Sequence, residues 1–295
     1  MALTPAFQSA SAKYPVFPDL DDKVALVTGG AGGIGEEIVY ALAQQGARVV
    51  FVDINDAAAE KVIDKAAAMG AKHAPAYINW NLADVESLGA LADAVLAKTG
   101  RIDVLVNNAA NDKRIDFNDE NFYDGYMKSR ALNSDAPIFL TRAVLQKSMV
   151  PNGSGSVVNI SSVHAIMASD PNMLAYGSSK SALNHFSAWV AHTHGALGIR
   201  SNTIEPGWIA TKKQMEEVMQ PQDVQNTLNN QTVKRIGHNS DIANAVLYCA
   251  SAASGFMNGQ LMRVDGGAIG NYNRVEVAPE KVSDPITRQC LGLKS

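Results

Sequence analysis

The sequence predicts one α/β domain: a single doubly wound parallel sheet with helices on both faces. Three observations predict it. Short apolar runs alternate with stretches of helical periodicity from Lys23 to Val264. The connections between them are short, as parallel strands joined by covering helices require. A glycine-rich turn, Thr28–Gly35, separates the first apolar run from the first helical stretch.

The elements follow in order. Lys23–Thr28 is an apolar run ending in glycines, the mark of a buried strand. Ile34–Gln45 carries helical spacing and stops at Gly46. Ala47–Asp53 is a second buried strand, Ala57–Met69 a helix closed by Gly70, and His73–Asn79 a third strand. Asp84–Lys98 is helical and ends before Gly100, and Ile102–Asn107 is the fourth strand. Phe122–Leu145 reads as mostly helical, Ser156–Ile160 as the fifth strand, and Ala175–Leu197 as a helix stopped by Gly198. Ile199–Ile204 is the sixth strand, Asp241–Ser251 a helix, and Leu261–Val264 a last short strand.

A chain of 295 residues fits one large α/β domain or two small ones. No repeat, low-complexity tract or linker precedes Gly267, which favours one domain over 21–267, an N-terminal arm over 1–20 and a tail or lid over 268–295. The formal charge of −4 gives no reason to expect nucleic acid or an anionic membrane as partner. Cys249 and Cys290 stand far apart in no metal-like or redox-like pattern, so no metal site is expected. Free thiols suit a reducing compartment, here the cytoplasm. Met1–Leu20 lacks the apolar run of a secretory signal, and no stretch approaches a membrane span.

The turn Thr28-Gly29-Gly30-Ala31-Gly32-Gly33-Ile34-Gly35 gives the sheet a Rossmann-type nucleotide end. Gly29 permits a tight turn, Gly33 lets backbone approach a pyrophosphate, and Gly35 allows close helix–strand packing. Asp53 ends the second strand 18 residues beyond Gly35, where a carboxylate binds the hydroxyls of an adenine ribose. That carboxylate repels the 2′-phosphate of NADP. No Arg or Lys lies in the glycine loop and Ile54 follows Asp53, so the expected cofactor is NAD.

Downstream, Tyr176-Gly-Ser-Ser-Lys180 pairs a phenol with an ammonium on one helix face. A free tyrosine, with a pKa of roughly 10, is a poor base at neutral pH. A lysine cation beside it favours the phenolate, which makes the pair suited to moving a proton on or off an alcohol oxygen.

Together these motifs resemble the short-chain dehydrogenase/reductase family over roughly Asp22 to Gly267. The glycine loop has that family's Thr-Gly-x-x-x-Gly-x-Gly spacing. Val106-Asn107-Asn108-Ala109-Ala110 is similar to its Asn-Asn-Ala-Gly segment, with Ala110 in place of glycine. Asn159-Ile160-Ser161-Ser162 resembles the segment ending in a catalytic serine, and Pro206-Gly207-Trp208-Ile209-Ala210-Thr211 resembles a cofactor segment. Val264-Asp265-Gly266-Gly267 is similar to the terminal strand signature. The resemblance implies a catalytic set of Asn133, Ser162, Tyr176 and Lys180. Tyr176 is then the general base in oxidation, Lys180 lowers its pKa and binds the nicotinamide ribose, and Ser162 holds the substrate oxygen. Asn133 holds a water linking Lys180 to solvent. It also implies cofactor contacts from Gly29, Gly33, Ile34, Gly35, Asp53, Asn81, Leu82, Asn107, Ala109, Pro206, Gly207, Ile209 and Thr211. Asn81 replaces a frequent aspartate near adenine. Ser162 stands fourteen residues before Tyr176, one more than usual, so a bulged loop is expected and Ser161 is a competitor for its role.

Substrate residues are expected at the carboxyl ends of the strands. Asn111, Asp112 and Arg114 follow the fourth strand, His164 follows Ser162, and Trp208 and Gln214 follow the sixth. Such a polar rim suits a sugar or polyol, because each substrate hydroxyl needs a partner. Segments similar to Asn-Asp-x-Arg and Thr-x-x-Gln occur in sugar and polyol members of the family. The alternative is an apolar pocket for a hydrophobic ketone or alcohol, built on Trp208, Met215 and Met219. A catalytically silent dinucleotide-binding scaffold is a second alternative, disfavoured by the intact Tyr176/Lys180 pair. The resemblance also implies a homotetramer or homodimer built on the helices within Phe122–Leu145 and Ala175–Leu197.

Overall fold

The computed structural model describes residues 14–269 and 278–293. The early part of the expected arm, 1–13, and residues 270–277 and 294–295 of the expected tail lie outside the described residues.

Seven parallel strands form one sheet in the order β3-β2-β1-β4-β5-β6-β7. They are β1 Val24–Thr28, β2 Arg48–Asp53, β3 Ala76–Asn79, β4 Val104–Asn107, β5 Gly155–Ile160, β6 Ile199–Pro206 and β7 Leu261–Val264. The chain winds outward from β1 to β3, then returns beside β1 at β4 and winds the other way. That reversal opens a crevice at the carboxyl ends of β1 and β4, where this architecture binds ligands.

Strand alternation divides the core into two layers. Val27, Phe51 and Val158 pack with Ile38 and Leu42 of α1 (Gly33–Gln44), Val62 of α2 (Asp56–Ala68) and Val246 of an eighth helix described below. Leu26, Val50 and Leu105 face the opposite layer with Leu91 and Val95 of α3 (Leu88–Thr99). Helices on both faces leave the central strands no polar side, which is why they read as unbroken apolar runs.

The expected third strand begins three residues late. Pro75 has no N–H for the ladder, and Lys72 and His73 are drawn instead to Asp21 and Asp22 by contacts of 2.7–2.9 Å. The sixth strand extends to Pro206, because β7 pairs with it as far as Pro206 opposite Val264.

The stretch expected as one helix from Phe122 contains α4 (Phe122–Arg130) and α5 (Ala136–Val144), joined by a widened π-turn at Ala131–Asp135. Pro137 accounts for the widening: it has no N–H to donate to the carbonyl of Asn133 four residues back. Beyond β5, α6 (Leu174–His194) runs back along β6. Two further helices, α7 (Pro221–Asn230) and α8 (Asn239–Ala250), follow β6. α8 starts earlier than expected because Asp241 accepts from the His238 N–H at 2.7 Å and caps it.

Residues 278–293 are the described part of the expected tail that follows residues 270–277. They carry α9 (Pro285–Cys290) and pack on their own chain, with Cys290 and Val282 buried against Met219, Val224 and Leu228. Thr287, fully buried, accepts from the Ile236 N–H at 2.8 Å and donates to Asp284 at 2.7 Å. The end of the chain therefore braces the segment that follows β6. Among the described residues, no helix is long and apolar enough to cross a membrane.

Candidate active site

At the nucleotide end, β1, β2 and the loop after β4 are knotted together by backbone and side-chain hydrogen bonds. Thr28 Oγ1 accepts from the N–H groups of Asn108 and Ala109 at 2.9 and 3.1 Å. Asn108 Nδ2 donates to the carbonyls of Thr28 and Gly29 at 2.9 and 3.1 Å. Asn108 and Thr28 thus set the glycine loop against β4, a role that sequence reading missed although the Asn-Asn pair was visible. A side chain at Gly35 would place its Cβ 1.9 Å from the Gly29 carbonyl, so only glycine allows this approach. At Gly33 (φ +57°) a Cβ would meet only the Thr211 methyl, at 3.5 Å, which leaves open space over the start of α1. No side chain caps α1. Its first-turn N–H groups are therefore available to an anion.

Asp53 stands beside this opening. Its carboxylate accepts from the N–H groups of Ala31 at 3.0 Å, Ile54 at 2.8 Å and Asn55 at 3.2 Å, which ties β2 to the glycine loop. Lone-pair capacity remains for ribose hydroxyls, since a carboxylate has about four acceptor sites. Leu82 and Ala109 line a small recess with Thr28 and Asn107. Asn81 is exposed, and its side-chain oxygen accepts from the Ala83 N–H at 3.1 Å. Gly207 is held to β7 through its N–H on the Val264 carbonyl, and Ile209 is buried in the core. Ala110 is exposed and has no positive φ, so the missing glycine distorts nothing. The open glycine turn, the free helix start and Asp53 fit a dinucleotide.

The side chains of Asn107 and Asn133 are held by the protein itself. The Asn107 side chain turns into the sheet–helix layer, where Nδ2 donates to Thr141 and Asn159 at 3.0 and 2.8 Å. The Asn133 side chain engages the loop after β4. It accepts from the Asn111 N–H at 2.9 Å and donates to the Asn111 carbonyl at 2.8 Å and to Ser129 at 3.1 Å. The π-turn presents Asn133 to the loop after β4, so its side chain is a clamp on Asn111.

At the chemical end, α6 carries Tyr176 and Lys180 one turn apart. The ammonium of Lys180 is buried and donates to the Ile160 carbonyl at 2.7 Å. Burial pulls its pKa down from 10.5 to about 7. It stands 5.6 Å from the centre of the Tyr176 ring. The Tyr176 phenol is pushed up to about 12 by burial, with Asp112 adding to the rise and a hydrogen bond from Ser162 opposing it. Burial thus works against the Lys180 ammonium, and the hydrogen bond from Ser162 favours the phenolate.

Ser162 caps the short turn Val163–Ala165, accepting from the His164 N–H at 3.2 Å. The hydroxyl of its competitor, Ser161, donates instead to the Lys180 carbonyl at 3.1 Å. The extra residue before Tyr176 is taken up by the turns at Val163–Ala165 and Pro171–Met173. His164 stacks edge-on to the phenol, ring centres 6.2 Å apart, and burial pulls its pKa down.

The expected substrate residues form two ion-paired groups. Asp112 accepts from Lys213 at 2.8 Å and from Gln214 at 2.9 Å. Gln214 in turn accepts from the Trp208 indole at 3.0 Å. This chain bridges the loop after β4 to the loop after β6. Arg114 turns aside to Asp170 at 2.7 Å. Among the described residues, no group of three or more His, Cys, Asp or Glu is arranged to hold a metal ion.

A parallel sheet with an open glycine turn, a carboxylate at the end of β2 and a phenol–serine–lysine group fits a dinucleotide-dependent oxidoreductase. Residues 29–268 match the family model described as Enoyl-(Acyl carrier protein) reductase. The "Probable galactose dehydrogenase" of Rhizobium meliloti is 37% identical over 253 residues, covering 85% of this chain and 96% of that protein. D-threitol dehydrogenase of Mycolicibacterium smegmatis is 36% identical over 250 residues, covering 84% and 93%. Among solved structures, 7α-hydroxysteroid dehydrogenase complexed with NADH and 7-oxo glycochenodeoxycholic acid superposes with a TM-score of 0.80 at 34% identity, covering 87% of this chain and 98% of the other. A gluconate 5-dehydrogenase from Burkholderia cenocepacia J2315 in complex with NADP and tartrate gives a TM-score of 0.79 at 28% identity, covering 86% and 98%. The chain belongs to the short-chain dehydrogenase/reductase family. It is an oxidoreductase acting on alcohol groups with a nicotinamide dinucleotide.

Proposed function

We propose that this enzyme oxidises a secondary alcohol or the hemiacetal carbon of a sugar with NAD, and that the substrate is a polyol or aldose. The observation that carries the reading is the polar bridge from Asp112 through Gln214 to Trp208 beside the Tyr176 phenol. A carboxylate on this rim keeps acceptor capacity beyond these bonds, which suits a substrate with several hydroxyls. The galactose and threitol dehydrogenases among its relatives support a hydroxyl-rich substrate.

Bound oxidised nicotinamide supplies the hydride acceptor and a positive charge at that end of the cleft. Tyr176 takes the alcohol proton, and Ser162 donates to the same substrate oxygen, fixing it and stabilising charge as the carbonyl forms. The Lys180 amine receives the proton from the phenol side and passes it toward solvent. The main-chain carbonyl of Asn133, which Pro137 cannot bond, is the group on α4–α5 suited to hold a water on that path.

Asp53 supports NAD over NADP. Replacing it with Ala should weaken NAD by about tenfold to a hundredfold, the loss expected for hydrogen bonds to a charged acceptor, and should narrow the gap to NADP. Steady-state KM for both cofactors checks this. A wild-type enzyme equally efficient with NADP contradicts the assignment.

We also infer a cytoplasmic homo-oligomer. Both cysteines are free and buried, which suits a reducing compartment. Phe139 on α5 and Trp189 on α6 are about half exposed on the two helices expected to meet a partner.

A further inference from the structure

We propose that Asp112 selects the substrate: its carboxylate accepts hydroxyl hydrogens of a neutral polyol or aldose and turns away the corresponding sugar acid. The inference rests on the proposed reading of this cleft as a polyol- or aldose-oxidising site and names what enters it.

The position of Asp112 is held from behind. Asn133 clamps both the N–H and the carbonyl of Asn111 at 2.9 and 2.8 Å, so the residue that follows starts from a fixed backbone. From that base its two oxygens reach across to Lys213 and Gln214 at 2.8 and 2.9 Å. Each oxygen keeps acceptor capacity beyond the bond it makes. The Asp112 side chain is 31% exposed, so a solute reaches it. A carboxylate below its usual pKa range has no proton to give, which makes it a partner for donors alone. Burial, the largest single influence, raises the Asp112 carboxyl, but the Lys213 hydrogen bond and charge, a backbone hydrogen bond and the Arg114 charge together hold it low.

The cations of the group are already committed. Lys213 is paired with Asp112 at 2.8 Å and Arg114 with Asp170 at 2.7 Å. A sugar acid that bound at either of these two cations would have to take it from its carboxylate and leave that carboxylate unpaired in the cleft. Lys113 and Lys212 are exposed. A neutral hydroxyl instead adds to Asp112, or replaces Gln214 on it, at no cost in charge. Gln214 remains tied to Trp208 at 3.0 Å, so the loop after β6 keeps its place while the carboxylate changes partners.

The Asp112 charge is also felt at the reacting group. The phenol of Tyr176 meets Ser162 from the end of β5, His164 from the turn that follows, Lys180 from its own helix and the Asp112 charge from the loop after β4. Only Asp112 among these carries a negative charge that holds the phenol protonated.

The test is Asp112→Asn in the full-length enzyme, with NAD, a neutral aldose or polyol and the sugar acid of the same configuration. Wild type should favour the neutral substrate. The variant should lose about tenfold in kcat/KM for it and discriminate less against the acid. NAD affinity, read by fluorescence quenching, should stay unchanged, which shows that the variant is folded. The alkaline limb of the pH–rate profile should move to lower pH, because a charge that raised the phenol is gone. Gln214→Ala loosens the bridge but keeps the charge, so it should weaken both substrates and leave their ratio intact. Equal losses for both substrates in Asp112→Asn, with the pH limb unmoved, would reduce Asp112 to a loop support and overturn the proposal. A wild type that prefers the sugar acid overturns it too, while leaving the hydroxyl-rich reading standing. Turnover of neither class, with apolar alcohols alone oxidised, refutes that underlying reading and the selection by Asp112 together.

Discussion

Tyr176→Phe should lower kcat for alcohol oxidation by about a hundredfold to ten-thousandfold, the range expected when a positioned proton acceptor is lost. The ring keeps its packing against His164, and the helix keeps its place, so NAD binding should change by no more than a few fold. The pH profile carries the sharper signature. The phenol is pushed up to about 12, so the phenolate fraction rises with pH across the whole accessible range. Wild-type oxidation should therefore accelerate toward alkaline pH, while reduction, which needs the protonated phenol, should not. In the variant the alkaline rise should vanish. A Phe variant that kept a tenth of the wild-type rate, with the same pH slope, would place proton transfer elsewhere.

Lys180→Met should produce two opposite changes. Activity should fall by about a hundredfold or more, because the group that exchanges protons with Tyr176 is gone. Stability should rise at low pH. Below about 7 the Lys180 ammonium is charged in both folded and unfolded chains, and the folded chain carries the full cost of burying it. Between about 7 and the ordinary lysine value of 10.5, the folded chain has released the proton and the unfolded chain still holds it. The unfolded state then binds more protons, so stability rises with pH across that window. Methionine removes this dependence at nearly constant volume. The variant's melting temperature should exceed the wild-type value most near about pH 6, and the gap should close or reverse near about pH 9. The lost hydrogen bond to the Ile160 carbonyl lowers both values alike and leaves the trend. Parallel melting curves across pH would mean that Lys180 is not discharged by burial.

The order of strands and the two ends of the crevice were legible because each has a local signature. Buried parallel strands such as Val24–Thr28 show as apolar runs, and the glycine turn has a spacing that few other structures need. Tyr176 and Lys180 sit on one helix, so their relation followed from helix geometry alone. What the sequence concealed depends on contacts between distant segments. Nothing local showed that the Asn133 amide would be engaged by Asn111, twenty-two residues earlier, or that Pro137 would open the π-turn that aims it there. Burial of Lys180 beneath the end of β5, which pulls its pKa down to about 7, is a packing effect that helical spacing alone does not show. α7 was missed because only Val224 and Leu228 face inward among glutamines and asparagines. α9 was missed because six residues are too few for a periodic pattern. Asp112, Gln214 and Trp208 were each expected near the substrate, but the bridge between them joins residues about a hundred positions apart and has no local signature.

The most direct measurement is the initial rate of NAD reduction by the wild-type enzyme across neutral aldoses, polyols and simple secondary alcohols at mildly alkaline pH. Strong turnover of a neutral aldose or polyol, faster than any simple alcohol of similar size, is the predicted result. Turnover confined to apolar alcohols would contradict the account, make Asp112 and Gln214 bystanders, and move the pocket to Trp208, Met215 and Met219.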